Sequence, residues 1–174
     1  DPARALATLA SRLHGDPTAR LSVIGVTGTN GKTTTTNLIR QILAAAGLRC
    51  GLIGTISTHD GREEQAATLT TPSAVDLAAL AARMVANGCS ALAMEASSHA
   101  LHQQRTAGTR FKVGIFTNLT RDHLDYHGTM EAYAAAKALL FQSLPADGVA
   151  IVNADDPWSE SMVAGCKARI VRTR

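Results

Sequence analysis

The sequence of 174 residues predicts an α/β fold of the P-loop type, in which helices cover both faces of a mostly parallel sheet. Apolar runs rich in Val and Ile alternate with helical patterns along the chain, and this alternation is typical of parallel sheets. The runs are apolar throughout, as expected for strands that are buried on both faces. A glycine-rich segment joins the first run to a helix, which is the order that a phosphate loop requires.

Local patterns set the expected limits of each element. Residues 3–13 carry leucines spaced as one stripe of a helix. Ser73 and Thr129 are suitable N-caps, and Gly47 and Gly88 are suitable helix stops. The predicted helices cover residues 3–13, 32–46, 73–88 and 129–144, with one more short helix before the last strand. The predicted strands cover residues 21–26, 48–55, 90–95, 111–119, 148–153 and 168–172, with a polar turn within residues 56–69.

Composition narrows the possible functions. Apolar residues make up 45% and charged residues 18%, which is typical of a soluble globular domain. The net charge is +3 and no run of five basic residues occurs, so we expect neither a nucleic-acid-binding arm nor a nucleic-acid partner. Cys50, Cys89 and Cys166 form no CxxC motif, which predicts reduced thiols in a cytoplasmic protein. No apolar run of membrane-spanning length and no signal peptide is evident, so we expect no membrane partner.

Residues 27–37 read TGTNGKTTTTN and are the strongest functional signal. Backbone N–H groups at a helix N-terminus bind anions, Lys32 can neutralise the outer phosphates, and Thr33 is placed to bind magnesium through its hydroxyl. The spacing G-x-x-x-x-G-K-[ST] would require a glycine where the chain has Val26. The alternative is a glycine-rich turn that binds no ligand.

Three further positions carry weaker signals. Glu95 ends an apolar strand and is either a metal ligand near the phosphates or a solvated glutamate. In the segment RDHLDYH, His123 is either a metal ligand with Asp122 as its partner or part of a polar loop. Lys137 lies inside a helix, and its pattern alone predicts a solvated side chain. The remaining polar residues of that segment are expected to be structural: Asp125, Tyr126 and His127.

Taken together, several segments resemble the Mur ligases, and in particular their MurE-type branch, over residues 21 to 156. In chain order these segments are GTNGKTTTTN, LTTPSAVD, AMEASSHALHQQR, FTNLTRDHLDYHGTMEAYAAAK and NADD. In this family the loop reads GTxGKT, so Gly28 and Gly31 are its working glycines and none is expected at position 26.

The resemblance implies an ATP-dependent ligase of bacterial cytoplasm, monomeric, that acts in peptidoglycan precursor synthesis. Such enzymes join UDP-N-acetylmuramoyl-L-alanyl-D-glutamate to a diamino acid, either meso-diaminopimelate or L-lysine, through an acyl phosphate. The implied ATP-binding residues are Gly28, Thr29, Asn30, Gly31, Lys32, Thr33, Thr34, Asn153 and Asp155. The implied ligands of two magnesium ions are Thr33 and Glu95 for one, and His123 and a carbamylated Lys137 for the other. The implied substrate-binding residues are Thr70, Thr71, Ser97, Gln103 and Arg105.

The chain also departs from the family pattern. Members have an N-terminal domain that binds the uridine nucleotide and a C-terminal domain that receives the amino acid, and neither is recognisable here. A DNPR-type motif, which selects diaminopimelate, is absent. We therefore expect residues 1–174 to be a central ATP-binding domain that is incomplete at its C-terminus. The alternatives are a folylpolyglutamate-synthase-like ligase and a nucleotide-binding module without ligase activity.

Overall fold

The computed structural model describes residues 1–174, which form one sheet flanked by helices. The strands are β1 (Ser22–Thr27), β2 (Cys50–Ile53), β3 (Ser57–His59), β4 (Glu64–Ala66), β5 (Ala91–Glu95), β6 (Phe111–Phe116), β7 (Val149–Asn153) and β8 (Arg169–Thr173). The helices are α1 (Pro2–Leu13), α2 (Lys32–Ala45), α3 (Ala74–Ala86), α4 (Ser98–His102), α5 (Leu124–His127), α6 (Met130–Gln142) and α7 (Ser159–Met162), with a 3₁₀ turn at Pro17–Arg20. No helix combines the length and apolar character of a membrane span.

The sheet is mostly parallel, as predicted. Its strand order is β4-β3-β2-β5-β1-β6-β7-β8, and the antiparallel pairs are the two that β3 forms, with β2 and with β4. Strand β1 lies between β5 and β6, with Val26 in register with Glu95 on one side and Ile115 on the other. Because these three strands are parallel, their C-terminal ends lie at the same edge of the sheet.

Helices pack on both faces of the sheet. On one face, Ile39 and Leu43 of α2 lie against a small buried cluster of β2 and β5. On the other face, α3 and α6 pack over a buried cluster of 25 residues. Gly25 of β1 allows α6 to approach closely, because a Cβ atom there would lie 2.7 Å from Phe111 and 2.9 Å from Leu140. This close packing brings the first half of α6 to the end of β1.

Several elements differ from the prediction. The predicted polar turn contains the β3–β4 hairpin, and the short helices α4 and α5 occupy segments predicted as loops. These elements of three to five residues are too short to show a periodic pattern. Helix α1 is confirmed, but its leucine stripe is not the buried face: Leu13 is 77% exposed, whereas Ala7 and Ala10 are buried.

Candidate active site

The predicted functional segments meet at the C-terminal edge of the sheet. The phosphate loop follows β1, residues 96–99 follow β5, and residues 117–123 follow β6. Because β1 is paired with both other strands, these three segments lie side by side. Ligands of open parallel sheets bind at this edge, so the fold places the polar residues where a ligand site is expected.

The phosphate loop has the backbone geometry of an anion site. Gly28 and Gly31 have φ angles of 146° and 85°, which favour glycine. A Cβ atom on Gly28 would lie only 1.9 Å from the Thr117 hydroxyl, so this position also requires glycine for space. At the start of α2, the backbone N–H groups of Gly31, Lys32, Thr33 and Thr34 donate to no protein acceptor. Such free donors at a helix N-terminus can bind phosphate oxygens.

Lys32 extends over the loop that it follows. Its Nζ donates to the Gly28 carbonyl at 2.9 Å and to the Thr29 carbonyl at 2.8 Å. Burial lowers the pKa of Lys32, and the negative charges of Glu95 and Asp122 oppose that shift. Its ammonium group therefore lies against the phosphate loop itself, where it can neutralise phosphate charge.

Glu95 is a buried carboxylate that has no ion-pair partner. Its side chain is 0% exposed, and no Lys or Arg lies within ion-pair distance. Its Oε1 accepts from the Thr33 hydroxyl at 2.8 Å and from the Thr55 N–H at 2.9 Å, and Oε2 accepts from the Thr55 hydroxyl at 2.9 Å. The alternative of a solvated glutamate is therefore wrong. Two oxygen ligands so close together fit the chemistry of magnesium.

Lys137 is buried, which corrects the prediction from its sequence pattern. Its side chain is 1% exposed, and its Nζ donates to the Gly28 carbonyl at 2.8 Å. The Nζ also lies 4.4 Å from the centre of the Tyr133 ring. Burial lowers the pKa of Lys137 to about 7, helped by the charge of Lys32 and opposed by that of Asp122. Both lysines thus reach the same loop carbonyl.

Tyr133 was missed by the sequence reasoning. It lies one turn before Lys137 on α6, and its buried hydroxyl is 3.4 Å from the Thr29 hydroxyl. Burial raises the pKa of Tyr133, so the phenol stays neutral. The available signal was an aromatic residue four positions before a lysine in an alanine-rich helix, a spacing that places both side chains on one face.

His123 lies in a group of aromatic side chains close to Lys137. Its ring centre is 4.8 Å from that of His99 and 6.0 Å from that of Tyr133, the residue that also contacts Lys137. Its Nε2 is 3.5 Å from Asp122 Oδ2. No set of three or more His, Cys, Asp or Glu side chains in the chain is placed to hold a metal ion. A metal ion here would therefore need ligands of other kinds, such as a modified lysine or phosphate.

The predicted substrate-binding residues form a connected chain of hydrogen bonds. Thr71 donates its hydroxyl to the Glu95 carbonyl at 2.7 Å and lies 3.3 Å from the Ser97 hydroxyl. Arg105 donates to the Thr71 carbonyl at 3.2 Å and to the Gln103 side chain. Two further hydrogen bonds join members of this group to residues outside it. Gln103 donates to the Tyr126 hydroxyl at 3.1 Å, and Thr70 accepts from the Thr55 hydroxyl at 3.1 Å.

The predicted residues of the NADD segment lie behind the loop. Asn153 donates to the Thr117 carbonyl at 2.9 Å, which supports the segment next to the phosphate loop. Asp155 is exposed, and its backbone N–H donates to the Asn153 side chain. Asp156, which sequence reasoning did not single out, accepts from the Leu119 N–H at 2.8 Å. Asn153 and Asp156 therefore both contact the segment after β6, which is hydrogen-bonded to the phosphate loop.

These contacts define a class of protein: an α/β domain whose glycine-rich loop before a helix is contacted by two lysines, with a buried carboxylate beside the start of that helix. A model of the family described as "Mur ligase middle domain" matches residues 26–173. The chain therefore belongs to the Mur ligase middle domain family.

A protein from Geobacillus thermodenitrificans (strain NG80-2), named UDP-N-acetylmuramoyl-L-alanyl-D-glutamate--2,6-diaminopimelate ligase, is 50% identical over 166 residues, covering 92% of this chain and 34% of that protein. The chain thus spans about a third of the length of the curated relatives it matches.

Solved structures agree with this assignment. A structure of UDP-N-acetylmuramoyl-L-alanyl-D-glutamate--2,6-diaminopimelate ligase has a TM-score of 0.76 and 37% identity, covering 87% of this chain and 31% of that chain. Folylpolyglutamate synthase from Mycobacterium tuberculosis, solved with ADP and AMPPCP, also has a TM-score of 0.76 but 18% identity, covering 97% of this chain and 46% of that chain. The fold is therefore common to both kinds of ligase, whereas the sequence favours the Mur ligases.

Proposed function

We propose that residues 1–174 are the central ATP-binding domain of a longer ligase that adds diaminopimelate to UDP-N-acetylmuramoyl-L-alanyl-D-glutamate. The observation that carries this proposal is the convergence of Lys32 and Lys137 on the phosphate loop, beside the Thr33–Glu95 oxygen pair. The names of relatives at about 50% identity support the substrate, and favour diaminopimelate over L-lysine. Their bacterial sources support the cytoplasmic synthesis of peptidoglycan precursors as its setting.

In the proposed reaction, a carboxylate of the UDP-sugar dipeptide attacks the γ-phosphorus of ATP. The products of this step are an acyl phosphate and ADP, and the amine of the incoming amino acid then displaces inorganic phosphate. The barrier is mainly electrostatic, because an anionic nucleophile approaches an anionic phosphate. The free N–H groups at the start of α2 would bind the phosphates, and the ammonium of Lys32 would neutralise charge at the transferring group.

Magnesium fits the residues that are present. Thr33 and Glu95 would hold one ion through oxygen atoms that lie 2.8 Å apart. His123 and the carbamate of Lys137 would hold a second, and the buried position of Lys137 favours that modification because only a neutral amine reacts with carbon dioxide. Bound magnesium would supply positive charge to the phosphate oxygens.

The substrate is proposed to bind beside this centre. Arg105, Thr71 and Ser97 form one hydrogen-bonded group next to Glu95, and the guanidinium of Arg105 can pair with a carboxylate or a phosphate. Thr71 of this group contacts the Glu95 carbonyl, and Thr33 at the start of α2 contacts the Glu95 carboxylate. The arrangement would bring the substrate carboxylate and the γ-phosphate together, which is the requirement for in-line attack.

The ligation assay of the full-length protein tests this proposal. With ATP, the UDP-muramoyl-dipeptide and meso-diaminopimelate, we expect equal amounts of ADP and tripeptide product. The 174 residues alone should form no measurable product, because they span about a third of the length of these relatives and the amino-acid site is proposed to lie in another domain. A full-length protein that hydrolyses no ATP with these substrates would contradict the proposal, and ligation by the 174 residues alone would contradict the assignment of the amino-acid site to another domain.

A further inference from the structure

The side chain of Asn118, just after β6, pairs with both backbone groups of one residue of the phosphate loop. Its Oδ1 accepts from the Asn30 N–H at 3.0 Å, and its Nδ2 donates to the Asn30 carbonyl at 3.2 Å. Only this orientation of the amide satisfies both groups, since the flipped amide would oppose donor to donor and acceptor to acceptor. Asn118 therefore gives Asn30 the pairing that a neighbouring β-strand would give.

The residues around Asn118 bind the loop at further points. The Thr29 N–H donates to the Asn118 carbonyl at 2.8 Å, and the Thr29 hydroxyl accepts from the Thr120 N–H at 3.0 Å. The Thr117 hydroxyl donates to the Asn30 carbonyl at 2.7 Å. The phosphate loop and the segment after β6 are thus one hydrogen-bonded unit, although they are far apart in sequence.

This pairing sets the direction of a donor that would face phosphate. In a trans peptide unit, the carbonyl and the following N–H point in opposite directions. Because the Asn30 carbonyl is held by Thr117 and Asn118, the N–H of Gly31 points away from them. That N–H donates to no protein acceptor and lies at the N-cap of α2. Asn118 thereby orients a free backbone N–H, which could donate to a phosphate oxygen, although Asn118 itself contacts only the loop backbone.

We propose that Asn118 is a positioning residue for nucleotide binding, an inference that rests on the function proposed above. The segment that carries Asn118 continues directly into Asp122 and His123, of which His123 is the candidate metal ligand and Asp122 its partner. Asn118 therefore fixes the loop that binds the phosphates relative to the segment that binds the metal ion. Its loss should weaken nucleotide binding more than binding of the UDP-muramoyl-dipeptide, whose proposed residues form no hydrogen bond with Asn118 or Asn30.

Calorimetric titration of the full-length protein with magnesium ADP tests this role. Asn118→Ala removes both side-chain bonds, and the nearly isosteric Asn118→Asp keeps the acceptor but places a second oxygen against the Asn30 carbonyl. Since each lost bond weakens binding severalfold, both variants should raise the Kd for magnesium ADP by about tenfold or more. The Kd for the UDP-muramoyl-dipeptide should change less than about twofold. Asn87→Ala is the matched control, because Asn87 also donates to a backbone carbonyl, that of Asp60 at 3.1 Å, away from the site.

The possible outcomes are distinguishable. Equal loss of affinity for both ligands would mean that Asn118 is only structural, and would overturn the inference. Unchanged nucleotide affinity in both Asn118 variants, with lost affinity in Lys32→Ala, would also overturn it but leave the proposed function intact. If Lys32→Ala itself bound magnesium ADP like the parent, the phosphate loop and with it the proposed function would be wrong.

Discussion

Replacing Lys137 by alanine in the full-length enzyme is expected to lower kcat/KM by about 10³-fold or more, which corresponds to about 4 kcal/mol of transition-state stabilisation. The structural reason is that Lys137 is buried beside the Gly28 carbonyl, where its carbamate would supply anionic oxygen ligands to a magnesium ion. An ammonium group cannot bind a metal ion in this way. Acetate, as a small carboxylate, should partly restore activity. Initial rates with and without acetate measure both effects.

The pKa of Lys137 adds a dependence on pH to this prediction. Because the pKa is about 7, most of the amine is neutral at pH 8 and charged at pH 6. After removal of carbon dioxide, the parent enzyme should therefore regain activity faster at the higher pH when the same concentration of dissolved carbon dioxide is supplied at both pH values. Lys112→Ala is a suitable control, since Lys112 is exposed and pairs with Asp147 far from the loop. Full activity of Lys137→Ala, or no effect of added carbon dioxide at either pH, would contradict the assignment.

The Lys32→Ala variant is expected to lose ATP hydrolysis and ligation together, with a decrease in kcat of about 10²–10³-fold. The ammonium group of Lys32 contacts the Gly28 and Thr29 carbonyls of the phosphate loop, where the transferring phosphate would lie. The fold should be nearly unchanged, because Lys32 begins a helix at the edge of the sheet and its removal leaves no cavity in the core. Steady-state rates test the expected loss of activity, and a thermal denaturation curve tests whether the fold is unchanged.

A control for Lys32 distinguishes local from general charge effects. Lys167→Ala removes the same charge from an exposed position and should leave both the rate and the melting temperature unchanged. Activity of Lys32→Ala within a few-fold of the parent would show that this is not a working phosphate loop. A large loss of stability would instead mean that Lys32 supports the loop structurally through its bonds to Gly28 and Thr29.

The parallel sheet and the edge that carries the site could be predicted from the sequence, because both depend on local patterns. The apolar runs predict buried strands, and their order places the phosphate loop, Glu95 and the segment before His123 at one edge. The roles of individual residues in the loop followed from family resemblance and from the chemistry of phosphate binding.

The burial of Glu95 and Lys137 could not be predicted from local patterns. Both side chains are buried by residues from distant parts of the chain: Thr55, which contacts Glu95, is 40 positions away, and Gly28, which accepts from Lys137, is 109 positions away. The contacts of Asn118 with the loop span 88 positions in the same way. Sequence periodicity reports on which face of one element is apolar, but not on which polar groups two elements enclose between them.

Transfer of oxygen from the substrate to phosphate tests the central claim most directly. The UDP-muramoyl-dipeptide is prepared with ¹⁸O in the reacting carboxylate and turned over by the full-length enzyme with unlabelled ATP and meso-diaminopimelate. If an acyl phosphate forms, the carboxylate oxygen that attacks phosphorus leaves with the phosphate group, so each inorganic phosphate should carry one oxygen from the labelled carboxylate. Mass spectrometry of the released phosphate measures this label. Inorganic phosphate without the label, released while tripeptide is formed, would contradict the mechanism that we assign to this site.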